Sequence, residues 1–217
     1  CAAHLLEYDT VHGKWPAVIS ADGNSLTVNG KQIPFTEMAS PDDAGWQEVE
    51  CDILIESSGK FREPGQLEKY RAAGIKKVVV AAPVKTDVLN FVMGCNDDLY
   101  DPVIHRIVTA ASCTTNCIAP PIEVGHDELG IKRGAIAAMH DVNSLIPTST
   151  GSATAITMIY PELKGKLDGV AVRIPLLNAS LTDCVFQVER KTTVEEVNQL
   201  LKEASETYLH GILGYEE

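Results

Sequence analysis

The stretch ASCTTNC occupies residues 111–117, and the rest of the chain is organised around it. A strand-like run over residues 105–111 precedes it and a helix-like run over residues 114–129 follows it. Cys113 is therefore predicted to lie at a junction between a strand and a helix. Free backbone N–H groups and the helix dipole favour a thiolate at such a position, and the thiolate is the nucleophilic form of cysteine. Because a helix start with nearby hydroxyls also binds anions, the stretch predicts an activated thiol beside an anion site.

Two alternatives compete with this interpretation. A free cysteine is most often a small buried residue, although the polar neighbours of Cys113 argue against burial. His140, at the end of the apolar run 134–140, is the best candidate for the base that a cysteine nucleophile needs. On spacing alone, an ordinary hydrogen-bonded histidine is the stronger interpretation of His140. Cys117 follows Cys113 by four residues, but no second Cys or His pair has zinc-ligand spacing, and we expect no metal site.

Composition excludes several classes of protein. The chain has 217 residues, a net charge of −12 and no basic block, which argues against nucleic acid or an anionic membrane as the main partner. No apolar run is long enough to span a bilayer, and no signal peptide is visible. The six cysteines are scattered, as is typical of reduced thiols, so we expect a cytoplasmic protein.

Short β-branched runs alternate with a helix in the first half of the chain. Strand-like runs at residues 52–56 and 77–83 flank a helix-like run at residues 64–73, which predicts a parallel sheet covered on both faces. Before them, Asp-Gly and Asn-Gly turn signals predict a β-meander over residues 17–36. Ligands bind at the carboxyl ends of parallel strands, which would bring together the loops at residues 57–59, 81–83 and 112–114.

The second half of the chain has a different pattern. Residues 134–140 and 167–189 supply strand runs, and a helix is predicted from residue 193 to residue 206, capped by Thr192 or Thr193. A hydroxyl-rich turn over residues 146–152 opens another helix, predicted to reach residue 160. The fold class is therefore α/β, with a natural boundary between two domains at the start of the helix that follows Ser112.

Two further features allow anion binding. The run Thr148 to Gly151 again combines hydroxyls with a helix start, although an ordinary N-cap is the default explanation. Arg173 lies inside an apolar strand, where a salt bridge or the capture of a phosphate would explain it. Glu56 is predicted to be an ordinary surface or loop carboxylate.

The longest motif resembles a known signature. ASCTTNCIAP over residues 111–120 looks like the active-site signature of the glyceraldehyde-3-phosphate dehydrogenase family. Four further segments carry the same resemblance: YDTVHG at 8–13, IPTSTGSA at 146–153, PELKGKL at 161–167 and GILGY at 211–215.

The resemblance assigns roles by position. Cys113 matches the nucleophile and His140 the base that activates it. The residues that match phosphate-holding positions are Ser112, Thr114, Thr150, Gly151 and Arg173. Those that fall where the family lines its NAD cleft are Ser57, Ser58, Gly59, Phe61 and Ala81.

The implied reaction is NAD-dependent oxidation of glyceraldehyde 3-phosphate to a cysteine thioester, followed by attack of inorganic phosphate to give an acyl phosphate. The segment around residues 176–186 looks more like the arsenic-resistance branch of the family, in which arsenate replaces phosphate. Alternatives are an erythrose-4-phosphate dehydrogenase and a truncated, non-catalytic homologue that acts as an interaction module. The resemblance also implies a homotetramer. It further implies an incomplete Rossmann-like dinucleotide-binding domain over residues 1–111 and an α+β catalytic domain with a mixed or antiparallel sheet over residues 112–217.

The chain departs from the family pattern in three places. The Gly-rich dinucleotide fingerprint would precede Cys1, a long loop after His140 is cut short, and the family sequence continues beyond Glu217. We therefore expect a partial chain.

Overall fold

The computed structural model describes residues 1–141, 146–149 and 151–216. It forms two compact units, Cys1–Val49 and Glu50–Glu217, and every candidate site residue belongs to the second. The domain boundary between residues 111 and 112 stays a prediction. Among the described residues, no helix is both long enough and apolar enough to cross a membrane.

The first unit consists of a short helix and small antiparallel strands. Helix α1 spans Ala2–Glu7, and five strands follow: β1 (Tyr8–Asp9), β2 (Gly13–Lys14), β3 (Ile19–Asp22), β4 (Ser25–Val28) and β5 (Lys31–Pro34). Strands β3, β4 and β5 pair antiparallel in one sheet, so the predicted meander is confirmed. Gly23 and Gly30 have φ values of +53° and +81°, which glycine adopts without steric cost in tight turns.

The second unit begins with a parallel sheet. Its elements are β6 (Ile53–Glu56), α2 (Pro64–Ala72), β7 (Lys77–Val80), β8 (Leu89–Asn90) and β9 (Ile107–Thr109). The strand order is β6-β7-β9-β8, and every pairing is parallel, which confirms the predicted sheet. The carboxyl ends of β6, β7 and β9 therefore share one edge, and β9 leads directly to Cys113.

The expectation that both faces of this sheet are covered is wrong at β6. Leu54 and Glu56 are buried, whereas Ile53 and Ile55 are 58% and 68% exposed. Helix α2 packs against the sheet through β7. Because successive side chains of a strand point to opposite faces, one helical layer buries only alternate residues.

A mixed sheet and three helices complete the unit. They are α3 (Cys113–Leu129), β10 (Ile131–Asp141), β11 (Ile146–Ser149), α4 (Ser152–Ile156), β12 (Leu167–Ile174), β13 (Leu181–Val188) and α5 (Val194–Glu206). In the order β11-β12-β10-β13, β10 is parallel to β12 and antiparallel to β13. The predicted mixed sheet is confirmed. Helix α4 ends before residue 160, because the chain tightens into i→i+3 bonds ahead of Pro161.

The way α3 packs on this sheet determines where the site forms. Buried side chains of α3, including Ile118 and Ile122, form a cluster with Ile136 of β10 and Ile156 of α4. After α3 the chain turns through Gly130, whose φ is +70°, and returns as β10. The end of β10 consequently lies beside the beginning of α3.

Candidate active site

Cys113 is the first residue of α3 and is exposed. Ser112 caps the helix, since its Oγ accepts a hydrogen bond of 3.1 Å from the Thr115 N–H. The preceding residue, Ala111, has a φ of +55°, which places a non-glycine residue in the left-handed region. The strand-to-helix junction predicted from the sequence is therefore a sharp turn that presents the thiol at the surface.

The Thr114 hydroxyl lies between Cys113 and His140. Thr114 Oγ1 is 3.9 Å from Cys113 Sγ and 3.4 Å from His140 Nε2. Thr114 is buried and His140 is half-buried, so the imidazole is positioned by the packing of α3 against β10. The thiol and the imidazole thus share a neighbouring hydroxyl, which brings a nucleophile and a candidate base into one group.

Arg173 belongs to the same end of the mixed sheet as His140. The two residues are register partners in the parallel pair β10 and β12, and side chains at paired positions point to the same face. That face is the one on which Ile136 and Ala138 are buried. The guanidinium of an arginine has a planar donor set that suits phosphate oxygens.

The second predicted anion site is described only in part. Thr150 lies outside the described residues, whereas Gly151 is exposed and precedes α4. Ile146 pairs with Arg173 and Ser149 with Val170, so the chain moves away from Arg173 along β11 as it approaches Gly151. The joint action of Thr150, Gly151 and Arg173 on one phosphate stays a prediction.

The predicted cofactor residues lie at the carboxyl edge of the parallel sheet. Ser57, Ser58 and Gly59 follow β6 and Ala81 follows β7; all four are exposed, and Phe61 is half-buried. The two loops are adjacent, since the Ala81 N–H donates to the Glu56 carbonyl at 2.9 Å. Gly59 has a φ of +72° with open space around it, which leaves backbone accessible to a ligand.

Glu56 is not the ordinary surface carboxylate that we expected. It is buried, and it accepts hydrogen bonds from the Ser58 N–H at 2.7 Å, from the Ser58 hydroxyl and from the Tyr70 hydroxyl. Burial, with Glu56 as the partner, raises the pKa of Tyr70. The sequence did carry a signal for this burial. Glu56 lies two residues after the apolar Leu54 in the same strand, and alternate residues of a strand point to the same face. The carboxylate holds the Ser57–Gly59 loop against α2.

Two partly buried cysteines, Cys95 and Cys184, have perturbed thiols. Burial raises the pKa of Cys95 and of Cys184 to about 11, and the neighbouring Cys117 and Asp183 add to the effect at Cys184. These two thiols are therefore neutral at physiological pH. Cys113 differs from them in being exposed at a helix N-terminus. In the part of the chain that the structure describes, no cluster of three or more His, Cys, Asp or Glu could hold a metal ion.

Comparison with known proteins identifies the family. Residues 1–64 match the family model of the glyceraldehyde 3-phosphate dehydrogenase NAD binding domain, and residues 142–217 match that of the C-terminal domain. The first of these matches supports NAD as the cofactor, as expected from the resemblance.

Individual relatives agree with both domain matches. Glyceraldehyde-3-phosphate dehydrogenase 3 of Nostoc sp. is 54% identical over 238 residues, which cover 100% of this chain and 71% of the relative. Glyceraldehyde-3-phosphate dehydrogenase of Geobacillus stearothermophilus is 43% identical, covering 99% of this chain and 70% of the relative.

The first alignment extends over 238 residues although this chain has only 217, so the Nostoc protein contains residues within the aligned region that this chain lacks. The chain is therefore partial relative to these proteins. With identity above half across its full length, it belongs to the glyceraldehyde-3-phosphate dehydrogenase family.

Proposed function

We propose that this chain is a phosphorylating glyceraldehyde-3-phosphate dehydrogenase, which oxidises glyceraldehyde 3-phosphate with NAD through a thioester on Cys113. The arrangement of Cys113, Thr114 and His140 at the start of α3 is the observation that supports it. A cysteine nucleophile needs a base within reach and a site for developing negative charge. The helix N-terminus and Arg173 supply positive potential on the same side of the sheet.

The chemistry of Cys113 follows from this arrangement. Its sulfur attacks the aldehyde carbon, and His140 accepts the thiol proton, with the Thr114 hydroxyl beside both groups. NAD, when bound, supplies the acceptor for the hydride that leaves the aldehyde carbon. Inorganic phosphate then attacks the thioester carbonyl, which releases Cys113 and forms the acyl phosphate.

The residues at the carboxyl edge of the parallel sheet fit a dinucleotide. Exposed Ser57, Gly59 and Ala81 offer polar groups and close backbone approach, and the buried Glu56 carboxylate keeps their loop in place. Such an edge is where open parallel sheets bind ligands. We assign the contacts with NAD to these loops together with Ser58 and Phe61.

The anion that accepts the acyl group has two candidates. We propose phosphate or arsenate, because the two have similar shape and charge and Arg173 can pair with either. NADH formation with glyceraldehyde 3-phosphate is measured with phosphate, with arsenate and with neither. A rate that requires neither anion would contradict a phosphorylating mechanism, and faster turnover of erythrose 4-phosphate would replace the proposed substrate.

The decisive variant is Cys113→Ser. We expect NADH formation to fall to below about a thousandth of the parent rate, because a hydroxyl is a far weaker nucleophile than a thiolate. Cys184→Ser is the matched control. Cys184 is a partly buried thiol that packs beside the core, on the face of the mixed sheet that α3 covers. Retained activity in Cys113→Ser would contradict the assignment.

We also propose a cytoplasmic homotetramer. All six cysteines are free, as a reducing compartment would keep them. The face of the mixed sheet opposite α3 exposes apolar side chains, with Val170 45%, Leu181 60% and Val185 65% exposed. Such a face is suited to association with further copies of the chain.

A further inference from the structure

We infer that the peptide bond between Ala110 and Ala111 is clamped at both ends, and that Asn116 on one side and Thr109 with Asn90 on the other are positioning residues for the Cys113 thiol. The inference deepens the proposed function, because it concerns how the same thiol is presented. Its starting point is the left-handed Ala111, with a φ of +55°, two residues before Cys113.

The carbonyl end of this peptide is held by α3 itself. Asn116 Nδ2 donates to the Ala110 carbonyl at 2.7 Å and to the Ser112 carbonyl at 2.9 Å. Both amide hydrogens of Asn116 therefore reach back from the first turn of the helix to the turn that precedes it. Asn116 is exposed, so these bonds do not depend on the core.

The N–H end is held from the sheet side. The Ala111 N–H donates to Thr109 Oγ1 at 2.8 Å, and the Thr109 hydroxyl donates to Asn90 Oδ1 at 2.9 Å. Thr109 is completely buried and Asn90 nearly so. Water therefore does not substitute easily for either bond.

Asn90 determines the direction of this chain of bonds. Its Nδ2 donates to the Val84 carbonyl at 2.8 Å and to the Val88 carbonyl at 3.1 Å, which uses both amide hydrogens. Its Oδ1 must then accept, so the Thr109 proton points at Asn90 and leaves a lone pair for the Ala111 N–H. The hydroxyl has one orientation, and the Ala111 N–H has one partner.

A peptide plane held at both ends cannot rotate about the N–Cα bond of Ala111, and this rotation is the φ angle. A left-handed conformation is unfavourable for a non-glycine residue and persists only where surrounding interactions impose it. If the clamp is released, Ala111 relaxes and the start of α3 moves relative to β10. Cys113 and Thr114 then shift relative to His140, and the thiol loses its alignment with the helix dipole.

The test measures the thiol and needs neither NAD nor an aldehyde. Iodoacetamide alkylation of Cys113 is followed by peptide mass spectrometry, with Cys51 in the same sample as the internal reference. Asn116→Ala and Thr109→Val are each expected to slow Cys113 alkylation about fivefold, the size of effect that a helix dipole exerts on a charge in its first turn. Thr109→Ser retains the hydroxyl and is expected to alkylate at the parent rate.

Two controls separate positioning from loss of structure. Glu128→Ala removes an exposed polar side chain at the other end of α3 and should leave the Cys113 rate unchanged. Asn116 is exposed, so Asn116→Ala is expected to keep the parent circular dichroism spectrum, and it decides the outcome if Thr109→Val does not fold. Parent-like alkylation of Cys113 in Asn116→Ala would overturn the inference. Failure of the proposed function would show separately, as absence of NADH formation in the parent protein.

Discussion

His140 is the residue whose role depends most on its surroundings. Its ring lies 3.4 Å from the Thr114 hydroxyl at the end of β10, whereas sequence spacing alone favoured an ordinary hydrogen-bonded histidine over the base for Cys113. The same position accommodates either a base or a passive hydrogen-bonding histidine. Kinetics therefore has to distinguish these roles.

We expect His140→Asn to slow the chemical step by about 10² to 10⁴-fold, because asparagine keeps the polarity but cannot accept the thiol proton at neutral pH. The pre-steady-state burst of NADH and a thermal melt are measured on the same preparation. An unchanged burst rate with an unchanged melting temperature would make His140 an ordinary strand-end histidine. His126→Asn, a change at the far end of α3, is the control.

The buried thiols predict how stability responds to alkaline pH. Because burial raises the pKa of Cys95 and Cys184 to about 11, against 9.0 for an ordinary thiol, the folded chain holds these protons after the unfolded chain has released them. Their contribution to stability is complete below pH 9.0 and is lost as the pH rises through about 11. The buried Tyr70 and Tyr160, whose pKa values are also raised, act in the same direction.

Urea denaturation across this pH range measures the effect. The free energy of unfolding should decline more steeply with pH in the parent than in Cys184→Ser, which lacks one of the shifted protons. A decline of equal slope in the two proteins would show that Cys184 ionises at the same pH whether the chain is folded or unfolded.

At the scale of one element, α5 shows how a local signal decides a helix start. Thr193 Oγ1 accepts a hydrogen bond of 3.2 Å from the Glu196 N–H, so of the two threonines considered as caps, Thr193 is the one. Thr192 instead donates its hydroxyl to the Glu196 carboxylate at 2.7 Å. Both interactions lie within four residues of sequence and were therefore within reach of pattern analysis.

Thr193→Ala should destabilise the protein by about 1 kcal/mol, the usual cost of losing an N-cap side chain. Thr193→Ser keeps an oxygen in the same place and should recover most of that loss. Both are measured as free energies of unfolding in urea. Equal stability of the alanine and serine variants would show that the cap contributes nothing to the fold.

At the scale of the whole molecule, the open face of the mixed sheet bears on assembly. Val170 of β12 and Leu181 and Val185 of β13 project on the side away from α3, on either side of β10, and burying them would remove apolar surface from water. Asp168 and Asp183 lie on the same face. We expect sedimentation velocity to show a tetramer. The Val185→Asp variant should sediment as smaller species than the parent, because burying an unpaired carboxylate in an apolar interface makes the free energy of association less favourable.

Asp168→Asn, on the same face, serves as the control for that experiment, since it removes a charge without adding one to the interface. A parent protein that sediments as a monomer would contradict the tetramer. Sedimentation of Val185→Asp as a parent-like tetramer would instead place the interface on another surface.

Local patterns in the sequence were sufficient for most elements. Alternation and turn chemistry located the β-meander, the parallel strands β6, β7 and β9, and the amphipathic helix α5, because these depend on side-chain period and on residues near in sequence. The Asn-Gly and Asp-Gly turns need only the conformational freedom of glycine. The position of Cys113 at the start of α3 is of the same kind.

Contacts between distant residues depended on the tertiary structure. The burial of Glu56 under Tyr70, the approach of His140 to Thr114 and the clamping of the Ala110–Ala111 peptide each join residues that are remote in sequence or whose side chains have several possible partners. Local propensity carries no information about such pairs.

The sequence by itself determined that a cysteine begins a helix and that its motif belongs to a dehydrogenase family, because both are properties of consecutive residues. Only the tertiary structure decided what surrounds that cysteine, since the return of β10 beside α3 and the register of β12 bring His140 and Arg173 to it. Packing of the α3 face against the sheet is what converts a reactive residue type into a candidate active site.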